Sequence, residues 1–245
     1  MKLSEGIIVK SLKYQENSKI ITIINQDELT TFYVKGGASF KSRNFSYSNE
    51  LTKIAYDYNQ KSKDSLKILT SGTILDNYSN IKQSFEKLND CFMIMESINQ
   101  LGNHISDFKT LYEFLDDILK IINERDYSPY YLIIFRLKML YLLGIGPMFS
   151  KCVNCSATTN LVGFAYELGG MYCRDCLSEA HQFLDNELLE HIKFLYLTKL
   201  NMFSDELVKT LNFDTILISK FLDNYYEHFL GFKSRAKSVI EKMRR

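Results

Sequence analysis

Four of the chain's five cysteines form two matched pairs, and their spacing constrains the fold more than any other feature of the sequence. Cys152 and Cys155 make one C-x2-C pair, Cys173 and Cys176 make the other, and 17 residues separate the pairs. Each pair can aim two thiolates at one ion, and the segment between them can fold out and back. Four sulfur ligands leave no position for water or substrate, so the pattern predicts a structural zinc ion (Zn2+) and not a catalytic one.

Two other uses of paired cysteines fit the sequence less well. A redox dithiol needs one C-x-x-C at the start of a helix in a βαβ unit, and that context is missing. Two disulfides indicate a secreted chain, but residues 1–6 carry charge and no long apolar stretch follows them. The fifth cysteine, Cys91, lies in an apolar helical run and is predicted to be buried as a small hydrophobe.

The composition predicts a cytoplasmic protein that works without a membrane. The most apolar stretch, residues 130–146, carries Arg136 and Lys138 in its middle, where charge is costly in lipid. The four histidines are scattered, and the sequence has neither a nucleophile elbow nor a phosphate-binding glycine loop. We therefore expect no enzymatic activity.

Charge is distributed unevenly along the chain. Residues 1–80 hold 11 basic and 8 acidic side chains, residues 81–230 hold 13 and 20, and residues 231–245 hold 6 and 1. An acidic middle between basic ends is typical of a nucleic-acid binder with a separate body that docks on protein. An ordinary solvated surface explains the counts equally well.

Hydrophobic periodicity divides the chain into a β part and a helical part. Short β-branched and aromatic segments with close turns predict a small closed barrel, with strands at residues 6–10, 19–24, 29–34, 51–58 and 65–74. From residue 81 the apolar period becomes helical, which predicts helices at residues 81–101, 107–123 and 129–143, the last with Ser128 as N-cap and Gly144 just past its end. A hairpin around Gly169 and Gly170 is predicted between the cysteine pairs, and helical periodicity resumes after Cys176, with Ser234 capping a last basic helix.

The segment 34–43, which we call the basic loop, is the strongest candidate for function outside the cysteines. It contains Lys35, Lys41 and Arg43, no acidic residue, and Phe40 between the charges. Phosphates need positive charge and unpaired bases need an aromatic face, so the loop suits nucleic acid. A solvated polar loop is the alternative interpretation.

The basic C-terminal segment, residues 231–245, admits two uses. Lys233 and Arg235 can add phosphate contacts, or they can meet an acidic peptide whose hydrophobic end rests on neighbouring apolar side chains. A frayed basic terminus is the third interpretation.

In order and spacing, these motifs resemble the RecO family of bacterial recombination mediators over essentially the whole chain. The motifs that carry the resemblance are Gly6-Ile7-Ile8-Val9-Lys10, Tyr14-Gln15-Glu16-Asn17-Ser18, Lys35-Gly36-x-Ala38, Lys41-Ser42-Arg43, Leu111-Tyr112 with Leu115, Gly144-x-Gly146-Pro147 before Cys152, Gly169-Gly170 before Cys173, and Lys233-Ser234-Arg235.

The resemblance implies an α+β architecture. An N-terminal five-stranded OB-fold barrel would occupy residues 1–78. A helical domain would occupy residues 79–245, with the four-cysteine zinc ribbon inserted as a module over residues 148–180.

The resemblance also implies a role in DNA repair by homologous recombination. Such a protein binds single- and double-stranded DNA and anneals complementary strands. With RecR, and through the acidic tail of single-stranded DNA-binding protein, it helps RecA load onto coated strands. Lys35, Lys41 and Arg43 would contact DNA, and Lys13 and Lys19 are weaker candidates.

We expect the acidic tail to dock at Lys233 and Arg235, with Arg136 and Lys138 as the second choice. A competing hypothesis is a zinc-ribbon protein that binds RNA or assists transcription.

Overall fold

The computed structural model describes residues 4–62, 65–176 and 186–243. The chain divides into two compact units, of which one comprises Met1–Tyr127 and Ser234–Arg245 and the other comprises Ser128–Lys233. The chain therefore leaves the first unit after Tyr127 and returns to it at Ser234. The domain limits proposed from the sequence, 1–78 and 79–245, stay predictions, and residues 177–180 of the predicted zinc module lie outside the described residues.

Five strands close into a barrel in the order β1-β2-β3-β5-β4. They are β1 (Ser4–Tyr14), β2 (Ser18–Ile24), β3 (Leu29–Val34), β4 (Thr52–Asn59) and β5 (Lys67–Asp76). Neighbouring strands are antiparallel except β3 and β5, which pair in parallel. Closure leaves no open sheet edge, and this architecture confirms the predicted five-stranded barrel.

Alternating β-branched and aromatic side chains fill the barrel because successive residues of a strand point to opposite faces. Its core contains buried side chains from every strand, together with Tyr47 from the segment before β4: Ile8, Ile21, Ile23, Phe32, Val34, Tyr47, Ile54, Tyr56 and Leu69. The turn between β2 and β3 is closed by Asn25, whose Oδ1 accepts the N–H groups of Asp27 and Glu28, both at 2.8 Å.

Three helices follow the barrel in the first unit: α1 (Ser79–Gln83), α2 (Phe85–Leu101) and α3 (Phe108–Glu124). The sequence predicts one helix over 81–101, but Ser84 is extended and divides it. The Ser84 hydroxyl accepts the N–H of Lys87 at 3.3 Å and so caps α2. Helix α3 begins as predicted, with Asp107 accepting the N–H of Thr110 at 3.0 Å.

A half-buried ionic cluster ties α3 to the barrel. Asp116 on α3 accepts hydrogen bonds from Lys53 of β4 at 2.9 Å and from Lys120 at 2.7 Å. Burial opposes the charge of Asp116, but the two ammonium groups outweigh burial and hold the pKa of this carboxyl below its usual range. Loss of the carboxylate would leave Lys53 without its anionic partner.

The second unit combines helices with a small sheet. Its elements are α4 (Tyr130–Leu142), β6 (Met148–Cys152), β7 (Leu161–Ala165), β8 (Gly170–Cys173), α5 (Asn186–Leu197), α6 (Asp205–Thr210) and α7 (Thr215–Leu230). The strands lie in the order β6-β8-β7, with β7 and β8 antiparallel as the predicted hairpin requires. Helix α4 packs on α5 and α7 and is apolar on most of its surface. The architecture confirms the predicted α+β class.

The last helix, α8 (Arg235–Met243), belongs to the first unit and packs on α2. The hydroxyl of Ser234 accepts the N–H of Lys237 at 3.0 Å, as the sequence predicts for a cap. Among the helices that the structure describes, none combines the length and the hydropathy needed to cross a bilayer.

Candidate nucleic-acid interface and metal centre

The basic loop leaves β3 as a tight, internally bonded turn. Gly36 has φ +73°, a left-handed conformation that favours glycine, and a Cβ there would lie 2.7 Å from the Ser42 hydroxyl. The backbone N–H of Ser39 donates to Gly36 at 3.0 Å, and the N–H of Ser42 donates to Ser39 at 2.9 Å. The loop therefore has a defined conformation before any ligand arrives.

Side chains downstream of the basic loop fasten it to the barrel. The amide of Asn44 donates to the Lys35 carbonyl at 2.8 Å, and the buried Tyr47 hydroxyl donates to Asn44 Oδ1 at 2.6 Å. The Ser48 hydroxyl donates to the Gly37 carbonyl at 3.1 Å. Because these anchors are buried or half-buried, the exposed side chains of the loop project from a rigid base.

The residues predicted to contact DNA in this loop are all exposed. Lys35, Lys41 and Arg43 face solvent, and Phe40 is 87% exposed. The Phe40 ring lies 4.4 Å from the ring of Phe45, centroid to centroid. The pair presents an aromatic surface beside three cations, which is the combination that unpaired nucleotides require.

The two weaker candidates differ in their surroundings. Lys13 is exposed on β1, directly opposite Lys19 on β2. Lys19 donates to Asn49 Oδ1 at 2.7 Å and lies 5.1 Å from the centre of the Phe45 ring. Its partial burial lowers the pKa of the Lys19 ammonium. Through these contacts Lys19 holds the segment that follows the basic loop. Contact between DNA and either lysine stays a prediction.

The second unit brings the four predicted metal ligands together. The Sγ atoms of Cys152, Cys155, Cys173 and Cys176 all lie within 4.8 Å of one another. The Sγ atoms of Cys155 and Cys173 are 3.5 Å apart. A tetrahedral zinc site with Zn–S bonds of ~2.3 Å needs sulfur atoms about 3.8 Å apart, so the cluster fits such an ion.

The local backbone favours the thiolate form of Cys152. Burial opposes ionisation of Cys152, but the N–H groups of Cys173, Cys155 and Asn154 outweigh it and lower the pKa of the Cys152 thiol to about 6. The Asn154 amide donates to Cys176 Sγ at 3.3 Å. Such donors orient thiolates and stabilise their charge around a metal.

Three ligand positions are also part of the packing. Cys152 and Cys173 are buried with Ala165 and Tyr172, and the side chain of Cys176 packs against this cluster. Cys155 is exposed. A metal bound here would therefore join β6, β8 and their flanking turns, which suits a structural role.

Arg136 and Lys138, the second choice for docking the acidic tail, both have partners inside the second unit. Arg136 donates to Asp223 at 2.8 Å, and its guanidinium lies 5.1 Å from the centre of the Tyr226 ring. Lys138 donates to the carbonyl of Tyr196, and burial lowers the pKa of Lys138 to about 8. Docking at these two positions stays a prediction, but both cations already have partners.

Arg235 lies beside an apolar groove of the first unit, as an acidic-tail site needs. The groove has a volume of about 630 Å³. Its lining includes Leu12 of β1, Phe85 and Phe92 of α2, and Val239 of α8, whose side chains are 39–56% exposed. Lys233, the other predicted docking cation, is in the second unit and forms an ion pair of 2.5 Å with Glu227.

Several residues around these sites were not predicted from the sequence. Phe45 beside Phe40 was detectable, because it is a second aromatic residue shortly after the basic loop. Lys10, Glu50 and Glu96 also line the groove. No local pattern marks them, since the groove exists only after β1, α2 and α8 come together.

Two family models match most of the chain. The family described as "Recombination protein O N terminal" matches residues 1–78, and "Recombination protein O C terminal" matches residues 91–237. The chain is also similar to curated proteins named "DNA repair protein RecO". That of Listeria monocytogenes serotype 4b is 24% identical, over 99% of this chain and 95% of its own length.

Two further relatives are also named "DNA repair protein RecO". That of an Exiguobacterium species is 24% identical, over 97% of this chain and 94% of its own length. That of Syntrophomonas wolfei is 26% identical, over 72% of this chain and 70% of its own length. With a barrel, a helical region and a four-cysteine cluster as described above, the chain belongs to the RecO family of DNA repair and recombination proteins, which are non-enzymatic mediators.

Proposed function

We propose that the chain binds single- and double-stranded DNA through the basic loop and anneals complementary strands. With RecR, it would help RecA load onto strands coated by single-stranded DNA-binding protein. The observation that carries the proposal is the rigid, exposed loop with Lys35, Lys41 and Arg43 around the Phe40–Phe45 ring pair. Work on chromosomal DNA implies a cytoplasmic, nucleoid-associated protein.

Annealing follows physically from this arrangement. Cations that hold phosphates reduce the repulsion between two strands, and a base that stacks by its face on an aromatic ring keeps its edge free to pair. Phe40 would hold a base by stacking, which tolerates any sequence. An annealing protein needs this tolerance, since it must act on any strand.

Recruitment to coated strands would use the groove beside Arg235. An acidic peptide with an apolar end could place its carboxylates at Lys10 and Arg235 and its apolar end on Phe85 and Phe92, in a groove that Glu50 and Glu96 also line. Zn2+ is the ion proposed for the cysteine cluster, where it would hold the two knuckles together without taking part in DNA contact.

The test is annealing of complementary DNA oligonucleotides by the full-length protein. We expect acceleration by the parent and a loss of at least tenfold in the triple variant Lys35→Ala, Lys41→Ala, Arg43→Ala. A matched control removes three exposed cations elsewhere, at Lys109, Lys199 and Lys220, and should anneal at the parental rate. Preference for RNA without accelerated DNA annealing would instead favour the RNA-binding or transcription-accessory hypothesis.

A further inference from the structure

The N-terminus of α8 is fastened to α2 by one carboxylate. Glu96 Oε2 accepts the Ser234 hydroxyl at 2.6 Å and the N–H of Ala236 at 3.2 Å. Glu96 Oε1 accepts the N–H of Arg235 at 2.9 Å. Both oxygens thus satisfy donors that a helix start leaves without partners, over a sequence separation of 138–140 residues.

Helix α8 needs such a contact to hold its place. It has only 9 residues, and a helix of this length is marginal in water without tertiary support. Among its described side chains, Arg235 and Lys242 are exposed, and Val239 is 56% exposed. Helix α8 packs on α2, and the Glu96 carboxylate supplies charge-assisted hydrogen bonds between the two helices.

The same contact builds one wall of the groove. Arg235, Ala236 and Val239 of α8 face Phe85 and Phe92 of α2 across it. If α8 leaves, the groove loses this wall and Arg235 loses its fixed position. The cation proposed to meet an acidic peptide is therefore placed by a residue on another helix.

The contact also sets the charge of the groove. Two acids, Glu96 and Glu50, line it together with two cations, Lys10 and Arg235. The oxygens of Glu96 are occupied by the donors and the positive end of the α8 dipole, which compensate its charge. Without this compensation, Glu96 would repel the carboxylates of an acidic peptide.

We propose that Glu96 is a positioning residue that holds α8 and Arg235 against the groove and thereby makes the groove competent to bind an acidic peptide with an apolar end. This inference rests on the docking site given under Proposed function. It adds a residue whose main role is to hold α8 in place, and which also lines the groove itself.

Two measurements on the full-length protein test the inference. The first is hydrogen exchange at the amides of residues 235–237, and the second is affinity for a fluorescent peptide of consecutive aspartates ending in phenylalanine. In Glu96→Ala we expect exchange at these amides to rise at least tenfold and peptide affinity to fall at least tenfold. Glu96→Gln retains one acceptor oxygen and should restore part of both properties.

The controls separate this inference from the docking proposal. Glu113→Ala removes an exposed acid of the same unit and should leave both readings at parental values. One outcome rejects only the positioning role of Glu96. In that outcome Glu96→Ala speeds amide exchange but binds the peptide with parental affinity, while Arg235→Ala still lowers peptide affinity, so the docking site itself is retained. If Arg235→Ala also binds at parental affinity, the docking proposal fails and the inference fails with it.

Discussion

Replacing Cys173 by serine tests whether the four-cysteine cluster is a scaffold. Cys173 ends β8, is 2% exposed, and lies with its Sγ 3.5 Å from that of Cys155. Serine retains the volume but supplies a hard hydroxyl instead of a thiolate, so three sulfur ligands remain and metal affinity falls. When the weakened site loses its ion, nothing links the two knuckles through the cluster.

The expected loss of stability depends on the length of the chain segment between the two linked cysteines. Cys155 and Cys173 are 18 positions apart. Treated as a cross-link that closes a loop of this length, the ion lowers the entropy of the unfolded chain and adds about 3 kcal/mol to the free energy of unfolding. For a unit of about 100 residues, each 1 kcal/mol shifts the melting temperature by about 4–8 °C. We therefore expect the transition of the second unit to fall by about 15 °C.

Scanning calorimetry with zinc analysis of the same sample provides the assay. The Cys173→Ser variant should lose bound zinc and show the lowered transition, whereas DNA affinity at low temperature should change less than twofold. Cys91→Ala, which removes a buried cysteine outside the cluster, should retain zinc. A Cys173→Ser protein without zinc and with the parental melting temperature would refute the scaffold role and move the site to an interface.

Three further predictions concern the first unit. Phe40→Ala should weaken the binding of single-stranded DNA by ~1–3 kcal/mol in fluorescence titration, because one stacking face is lost, while Phe40→Trp should retain affinity. Equal affinity in the two variants would exclude stacking. Asp116→Ala should cost ~3–5 kcal/mol in urea unfolding, because Lys53 is left half-buried without its anion; a cost under ~1 kcal/mol would contradict this. Burial raises the pKa of Glu50 from 4.5 to about 7, so the folded state binds a proton more tightly than the unfolded state, and stability should fall as pH rises from about 4.5 to 7. Glu50→Gln should flatten this dependence, and an unchanged pH profile in that variant would assign it to other groups.

Local patterns predicted the parts of the fold that depend on local chemistry. The alternating β-branched residues located all five barrel strands, since a closed barrel has one buried face. Asp107 and Ser234 marked helix starts because a side-chain oxygen there meets free N–H groups. The break at Ser84 escaped prediction, because the apolar period of the helix continues through it and the extended residue depends on the packing of α1.

The sites divide in the same way. Cysteine spacing predicted the cluster, since ligands close in sequence must share one ion. In the folded chain Lys19 bonds to Asn49, Arg136 to Asp223, and α8 to Glu96. These partners lie 30, 87 and up to 140 positions apart in the sequence. No periodicity encodes such pairs, so a cation's partner became visible only in the folded chain.

The salt dependence of DNA binding by the triple variant Lys35→Ala, Lys41→Ala, Arg43→Ala tests the central claim most directly. Each lost contact with a single-strand phosphate lowers the slope of log K against log salt by about 0.7. We expect the slope to become shallower by about 2, with weaker binding at low salt and parental behaviour in the Lys109, Lys199 and Lys220 control. The same affinity and the same slope as the parent at every salt concentration would contradict the assignment of DNA binding to this loop.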